Sequence, residues 1–223
     1  MKHAWQRAVL LFTLAIGVAT VGCDSEDSNP QTPRNNTGLF KTAGTFSFTS
    51  DRGNFSANGI FDTTFATLNA AGAFQYTSGN LRFVVVFAYD LTSQTTQKIV
   101  FSGVVDTLNA IATGSYPYVM DETAKFAFFG YMPNAADTSS FGAFYVLTSG
   151  SMNVSSLSTT NISGTFSGNG FNVADTTSTI TVTNGTYNTP IVEHYYEIGF
   201  DKSSGSSAMQ EKIKNFIQEK LRR

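Results

Sequence analysis

Between residues 41 and 200, apolar and small polar residues alternate in short runs separated by clusters of Gly, Asn, Asp and Ser. A period of two puts alternate side chains on opposite faces of an extended strand, so this pattern describes strands with one face buried. In Thr179-Ile-Thr-Val-Thr183 the pattern directs Ile180 and Val182 inward and the threonines outward. The stretches 151–154 and 161–166 read the same way, whereas 81–89 is apolar on both faces and is expected at the centre of a sheet. Further strands are expected over 44–49, 53–61, 71–77, 97–105, 124–132, 142–148 and 191–199. No helical periodicity intervenes. The expected fold is therefore all-β: an antiparallel β-sandwich or barrel of about ten short strands. Asn184-Gly185, between two strand-like runs, is the best tight-turn candidate, because a type I′ turn needs positive φ at both central residues.

Composition narrows the function classes. The chain has 223 residues, 41% hydrophobic and 13% charged, with a formal net charge of -2. Phosphate neutralisation needs clustered Lys and Arg, so no nucleic-acid partner is expected. Low charge with 13% aromatics supplies enough apolar area to fold. Residues 53–60 resemble 164–171, and 67–70 resemble 107–110, but the spacings share no period and shared strand composition explains them.

The first 22 residues read as a secretory signal: Lys2, His3 and Arg7 precede an apolar run from Ala8 to Gly22, interrupted by Thr13 and Thr20. That run of about 15 residues falls short of the roughly 20 that span a bilayer as a helix. Cys23 is the only cysteine, which excludes an intrachain disulfide. Val21-Gly22-Cys23 resembles the lipobox of bacterial lipoproteins, although Thr20 departs from it. The resemblance implies a signal peptide over 1–22, a Cys23 carrying palmitate-type acyl chains, and attachment to the outer membrane on its periplasmic or surface-exposed side. Several chains on one residue are needed, because one acyl chain binds a bilayer only marginally. Residues 24–38 contain no apolar side chain, so 23–39 is expected to be a tether. Its acids resemble the surface-export signals of Bacteroidota lipoproteins, and a plain spacer explains them equally well.

The β domain is assigned to 40–200, a linker to 201–207 and an amphipathic helix to 208–223. Met209, Ile213, Phe216, Ile217 and Leu221 fall on one helical face. Ser207 and Gln210 match a capping box, and Lys220, Arg222 and Arg223 suit the helix end. The apolar stripe is expected on the barrel itself, with a partner protein or the bilayer as alternatives. Six of the 14 basic residues lie after Phe200.

Gly150-Ser-Met-Asn-Val, Asn161-Ile-Ser-Gly-Thr-Phe-Ser167 and Thr183-Asn-Gly-Thr-Tyr-Asn188 together resemble the closing motif of a Bacteroidota lipoprotein family of unknown function. Gly114-Ser-Tyr116 resembles the Gly-x-Tyr before that family's middle strands. The likeness covers roughly residues 40–190. It implies a fold and a cell-envelope setting, and no activity.

Catalytic patterns are weak. Glu193, His194 and Glu197 suggest a metal site, yet on a strand His194 faces away from both acids, so no metal and no cofactor is expected. No Gly-x-Ser-x-Gly elbow or phosphate-binding glycine motif occurs. Paired glycosidase carboxylates are unmarked, and Asp121-Glu122 reads as a turn. The chain is read as not an enzyme. Trp5, the only tryptophan, lies in the signal, so sugar stacking would rest on Tyr116, Tyr118, Tyr131, Tyr195 and Tyr196, the candidate ligand contacts. Asp62, Asp106 and Asp175 open Asp-Thr-Thr or Asp-Thr-Leu tripeptides resembling Bacteroidota O-glycosylation acceptors, which a threonine-rich chain also supplies by chance. The expected function is a lipid-anchored envelope domain, a structural or binding module with a protein or glycan partner. The alternatives are a glycan-binding surface lipoprotein and a barrel carrying a small apolar ligand.

Overall fold

The computed structural model describes residues 40–61, 67–78, 81–93, 95–118, 124–135 and 143–193. The signal, Cys23, the tether, Asp62, Asp121-Glu122, His194, Tyr195, Tyr196, Glu197 and the 208–223 segment lie outside them.

The fold is all-β. Among the described residues, ten strands form one sheet: β1 (Gly44–Ser50), β2 (Phe55–Gly59), β3 (Asn69–Ser78), β4 (Leu81–Asp90), β5 (Lys98–Asp106), β6 (Gly114–Pro117), β7 (Lys125–Met132), β8 (Tyr145–Leu157), β9 (Asn161–Asn172) and β10 (Thr179–Glu193). Pairing runs β10-β3-β4-β5-β7-β8-β9 and returns to β10, so the sheet closes on itself. Closure removes the open edges that a sandwich would leave.

Seven strands make this ring, and the odd number has a consequence. Six successive junctions are antiparallel, from β3 to β10, so β10 arrives running in the same direction as β3. The seventh junction must be parallel, and it is: Ile191, Val192 and Glu193 pair with Ala73, Phe74 and Gln75. The β1–β2 hairpin extends this seam, with β1 on β10 and Ile60 bridging in parallel to Ala71. Short β6 lies along β8 beyond the point where β7 leaves it.

Two expected breaks are absent. The described strand residues of the two expected segments, 145–148 and 151–154, belong to one continuous β8, which absorbs two register shifts, between Leu147 and Ser149 and between Val154 and Ser156. Asn184-Gly185 is not a hairpin turn. Asn184 has the expected positive φ of 53°, but it sits in a bulge between Val182 and Gly185, and β10 continues to Glu193. The bulge adds local twist, which a strand bending around a barrel needs.

The interior is one apolar cluster to which strands from every part of the wall contribute. Phe46, Val84, Val86, Val100, Val104, Met152, Ile162 and Ile180 are each fully buried there. Aromatic rings fill the centre. Phe48 stacks on Phe55 at 5.5 Å and meets Tyr131 edge-on at 5.1 Å, and Phe46 lies 4.9 Å from Phe166.

Candidate functional surfaces

Three of the five candidate tyrosines face the interior. Tyr116, Tyr118 and Tyr131 are 0%, 1% and 0% exposed and join the central cluster, so they form no platform for a sugar. The reason is strand parity: Tyr131 follows Phe129 and Ala127 at intervals of two on β7, and all three point inward. Tyr195 and Tyr196 lie outside the described residues.

The interior hydroxyls differ in how they are satisfied. Tyr116 donates to the Ala112 carbonyl (2.9 Å) and accepts the Ala112 N–H (3.0 Å), while Lys125 Nζ sits 4.1 Å from the centre of its ring. Tyr187 donates to the Asn153 carbonyl at 3.0 Å. The hydroxyls of Tyr131 and Thr189 are buried without a hydrogen-bond partner, whereas Ser102 lies beside the buried Tyr118 hydroxyl. Ser102, buried in the same core, donates to the Phe128 carbonyl at 3.2 Å, with Met152 Sδ 3.4 Å away. Burial pushes Tyr131 up to about 12, helped by the charge of Asp90. It raises Tyr118 and Tyr187 further. These groups stay protonated and inert at neutral pH.

Outside, the barrel has two unlike walls. The first is built from β6, β8, β9, β10, β1 and β2. Its outward side chains fall into cross-strand rows: Ser115, Asn153, Thr165, Thr186, Ser47 and Ser56 in one, and Ser156, Ser163, Asn188, Thr45 and Asn58 in the next. Every member is Ser, Thr or Asn. These six strands carry no Asp, Lys or Arg, and their one Glu is Glu193 at the end of β10. Cross-strand neighbours on this wall bond to one another, as Ser47 and Thr186 hydroxyls do at 3.0 Å and as Thr181 Oγ1 does in donating to Asn169 Oδ1 at 3.0 Å. Charge appears at the border of the wall, where Asp51 accepts the Thr181 N–H (2.9 Å) and Arg52 Nε donates to the Thr179 carbonyl (2.7 Å).

The second wall is the outer face of β3, β4, β5 and β7, and it is apolar. Its rows are Ala70, Tyr89, Ile99 and Met132; Gly72, Phe87, Phe101 and Gly130; Phe74, Val85, Gly103 and Phe128; and Phe83, Val105 and Phe126. Three glycines here serve as seats for rings, Gly103 among them, where a Cβ would meet Phe128 at 2.6 Å. A Cβ at Gly72 would meet Phe40 and Phe61 at 2.8 Å, and one at Gly130 would meet Phe144 at 2.5 Å. Phe40, Phe61 and Phe74 then pack edge-on at 5.2–5.6 Å.

Among the described residues, no three His, Cys, Asp or Glu side chains come together as a metal site. Asp106, the acid of one Asp-Thr-Leu tripeptide, is spent on its own loop. It accepts the N–H groups of Leu108 (2.8 Å) and Asn109 (2.7 Å); burial works against its charge, but these bonds and Lys125 outweigh it and lower its pKa. Asp175 in the second tripeptide likewise accepts from Thr177, hydroxyl and N–H. The two walls carry no signal in any single motif. They emerge when the alternation is written out strand by strand in register.

Compared with family models, with curated proteins and with solved structures, the chain finds no match in any of the three.

Proposed function

We propose that this chain is a non-catalytic, lipid-anchored binding module of the cell envelope, held at the outer membrane through Cys23 and presenting its Ser/Thr/Asn wall to its partner. The observation that carries this reading is the uncharged wall across six strands. Ordinary protein surfaces are about 25–35% charged, so a wall of hydroxyls and amides without charge departs from the norm. Its chemistry suits a neutral polyhydroxylated partner, a glycan, which pairs with alternating donors and acceptors and gains nothing from fixed charge. The aromatic filling of the barrel favours this reading over a carrier, because the interior that would hold an apolar ligand is occupied by Phe46, Phe48, Phe129 and Phe166. The lipobox resemblance and the Bacteroidota lipoprotein pattern support the envelope setting.

Metabolic labelling with a fatty-acid analogue tests the anchor. Wild type takes up label and sediments with membranes, and Cys23→Ala loses both; equal labelling of the two chains ends the anchored reading. Titration of the Cys23→Ser mature chain with neutral polysaccharides tests the wall. The double variant Thr165→Lys, Thr186→Lys is expected to bind roughly tenfold more weakly, the loss of about 1.4 kcal/mol of contacts. Undiminished binding by that variant would place the contact elsewhere.

A further inference from the structure

An asparagine followed by glycine can react with its own backbone, because glycine puts no side chain in the way when its nitrogen approaches the asparagine side-chain carbonyl. The chain holds three such pairs, Asn58-Gly59, Asn169-Gly170 and Asn184-Gly185. The approach also needs a backbone free to turn, and the sheet holds the three differently. Asn58 pairs with Thr45 of β1, and its N–H is bound by the Asn69 side chain. Asn169 lies between Ser149 of β8 and Thr181 of β10, and Thr181 donates to its side-chain oxygen at 3.0 Å. Asn184 sits in the bulge, where both registers skip it: β9 resumes at Gly185 and β1 passes from Thr183 to Thr186. Of the residues of β10 it alone has no partner on either neighbouring strand. Its φ of 53° has left extended geometry, and it is exposed.

We propose that Asn184 is a site of spontaneous deamidation, and that the reaction places a carboxylate in the uncharged wall. The Gly185 nitrogen, giving its proton to solvent, attacks Asn184 Cγ. A C–N bond forms, the side-chain nitrogen takes up a proton and leaves as ammonia, and a five-membered succinimide remains. Water then adds to one ring carbonyl, and the bond from that carbonyl to the ring nitrogen breaks. Opening at Cγ restores the main chain and leaves aspartate. Opening at the backbone carbonyl leaves isoaspartate, whose main chain runs through Cβ. One water is consumed and one ammonia released, with no change of oxidation state.

The bulge suits the product. Isoaspartate lengthens the main chain by one carbon, which would throw a regular ladder out of register, whereas both registers are already interrupted here. Exposed Ser167, Thr183 and Thr186 adjoin the position, so the new charge falls beside the row through Thr165 and Thr186. Its consequence rests on the glycan reading of this wall: a carboxylate covered by a neutral partner loses water and gains no counter-charge, so binding weakens.

The purified full chain, incubated at mildly alkaline pH, is followed by peptide mapping and by labelling with an isoaspartate-specific methyltransferase. Conversion at 184 is expected to outrun that at 58 and 169 by roughly tenfold or more, since residues held in a ladder react only after it opens. In denaturant the three rates should converge, and Asn184→Gly should remove the fast conversion. Conversion at 58 or 169 as fast as at 184 in the native chain overturns the proposal. So does an Asn184 that stays intact while the denatured chain converts. Asn184→Asp is expected to bind neutral polysaccharide roughly tenfold more weakly than wild type. Undiminished binding by Asn184→Asp, where Thr165→Lys, Thr186→Lys has lost it, overturns the effect on the wall alone; undiminished binding by both strikes the glycan reading with it.

Discussion

At the residue scale, the tyrosines separate structure from function. Tyr131 and Tyr187 both lie in the barrel interior, but one hydroxyl is orphaned and the other donates to Asn153. Removing an unsatisfied buried hydroxyl is nearly neutral or stabilising, whereas removing a made bond leaves a carbonyl unpaired and costs about 1 kcal/mol or more. Tyr131→Phe is therefore expected to melt at or above the wild-type temperature. Tyr187→Phe should melt about 2–4 °C lower for each kcal/mol lost in a domain of this size. Equal losses in the two variants would mean that Tyr131 has a partner in solution. The inward placement of Tyr116, Tyr118 and Tyr131 was legible from parity alone: Tyr116 and Tyr118 are two apart, and Tyr131 continues a run of inward positions. Reading them as sugar contacts gave weight to residue type over the face each residue occupies. A tyrosine at an inward position is, physically, a large apolar group with a polar tip to be satisfied.

At the element scale, alternation located nearly every strand, because a half-buried strand imposes its period on each residue. Strand ends were harder to read. Asn184-Gly185 carries the residues of a tight turn, and the backbone does adopt positive φ at Asn184, yet the chain passes through as a bulge. A local motif fixes local dihedrals; whether the strand reverses depends on which neighbours it can pair with, and β9 and β1 hold β10 on both sides of Asn184. β6 was missed as a strand for the opposite reason, since four residues are too few to show a period. The bulge is testable. Asn tolerates a left-handed backbone and a β-branched residue does not, so Asn184→Val is expected to cost about 1–2 kcal/mol, while Asn184→Gly stays within a few tenths. Both are read from denaturant midpoints at constant slope. A Val variant as stable as wild type would show that the bulge relaxes at no cost.

At the scale of the whole molecule, the barrel's stability is tied to keeping its tyrosines neutral. Burial raises Tyr131 to about 12 and raises Tyr118 and Tyr187 as well, while an unfolded tyrosine titrates at its ordinary value of about 10. The sign follows directly. A folded-state pKa above the unfolded one means the native state holds its proton more tightly, so these groups contribute fully below pH 10 and lose their contribution as pH rises through 10 toward the folded values. Three such groups share one core, so their penalties fall on a single cooperative transition rather than on separate local openings. The expected result is a native state whose stability is flat from neutral pH to about 10 and falls steeply above it. Followed by phenolate absorbance and far-ultraviolet circular dichroism together, these three tyrosines should ionise only as the sheet is lost. Tyr131→Phe should move the transition to higher pH, because one proton fewer is then released on unfolding. Phenolate absorbance from these positions while the sheet signal is still intact would mean that the interior opens to hydroxide without unfolding, and that the barrel is looser than its ring packing implies.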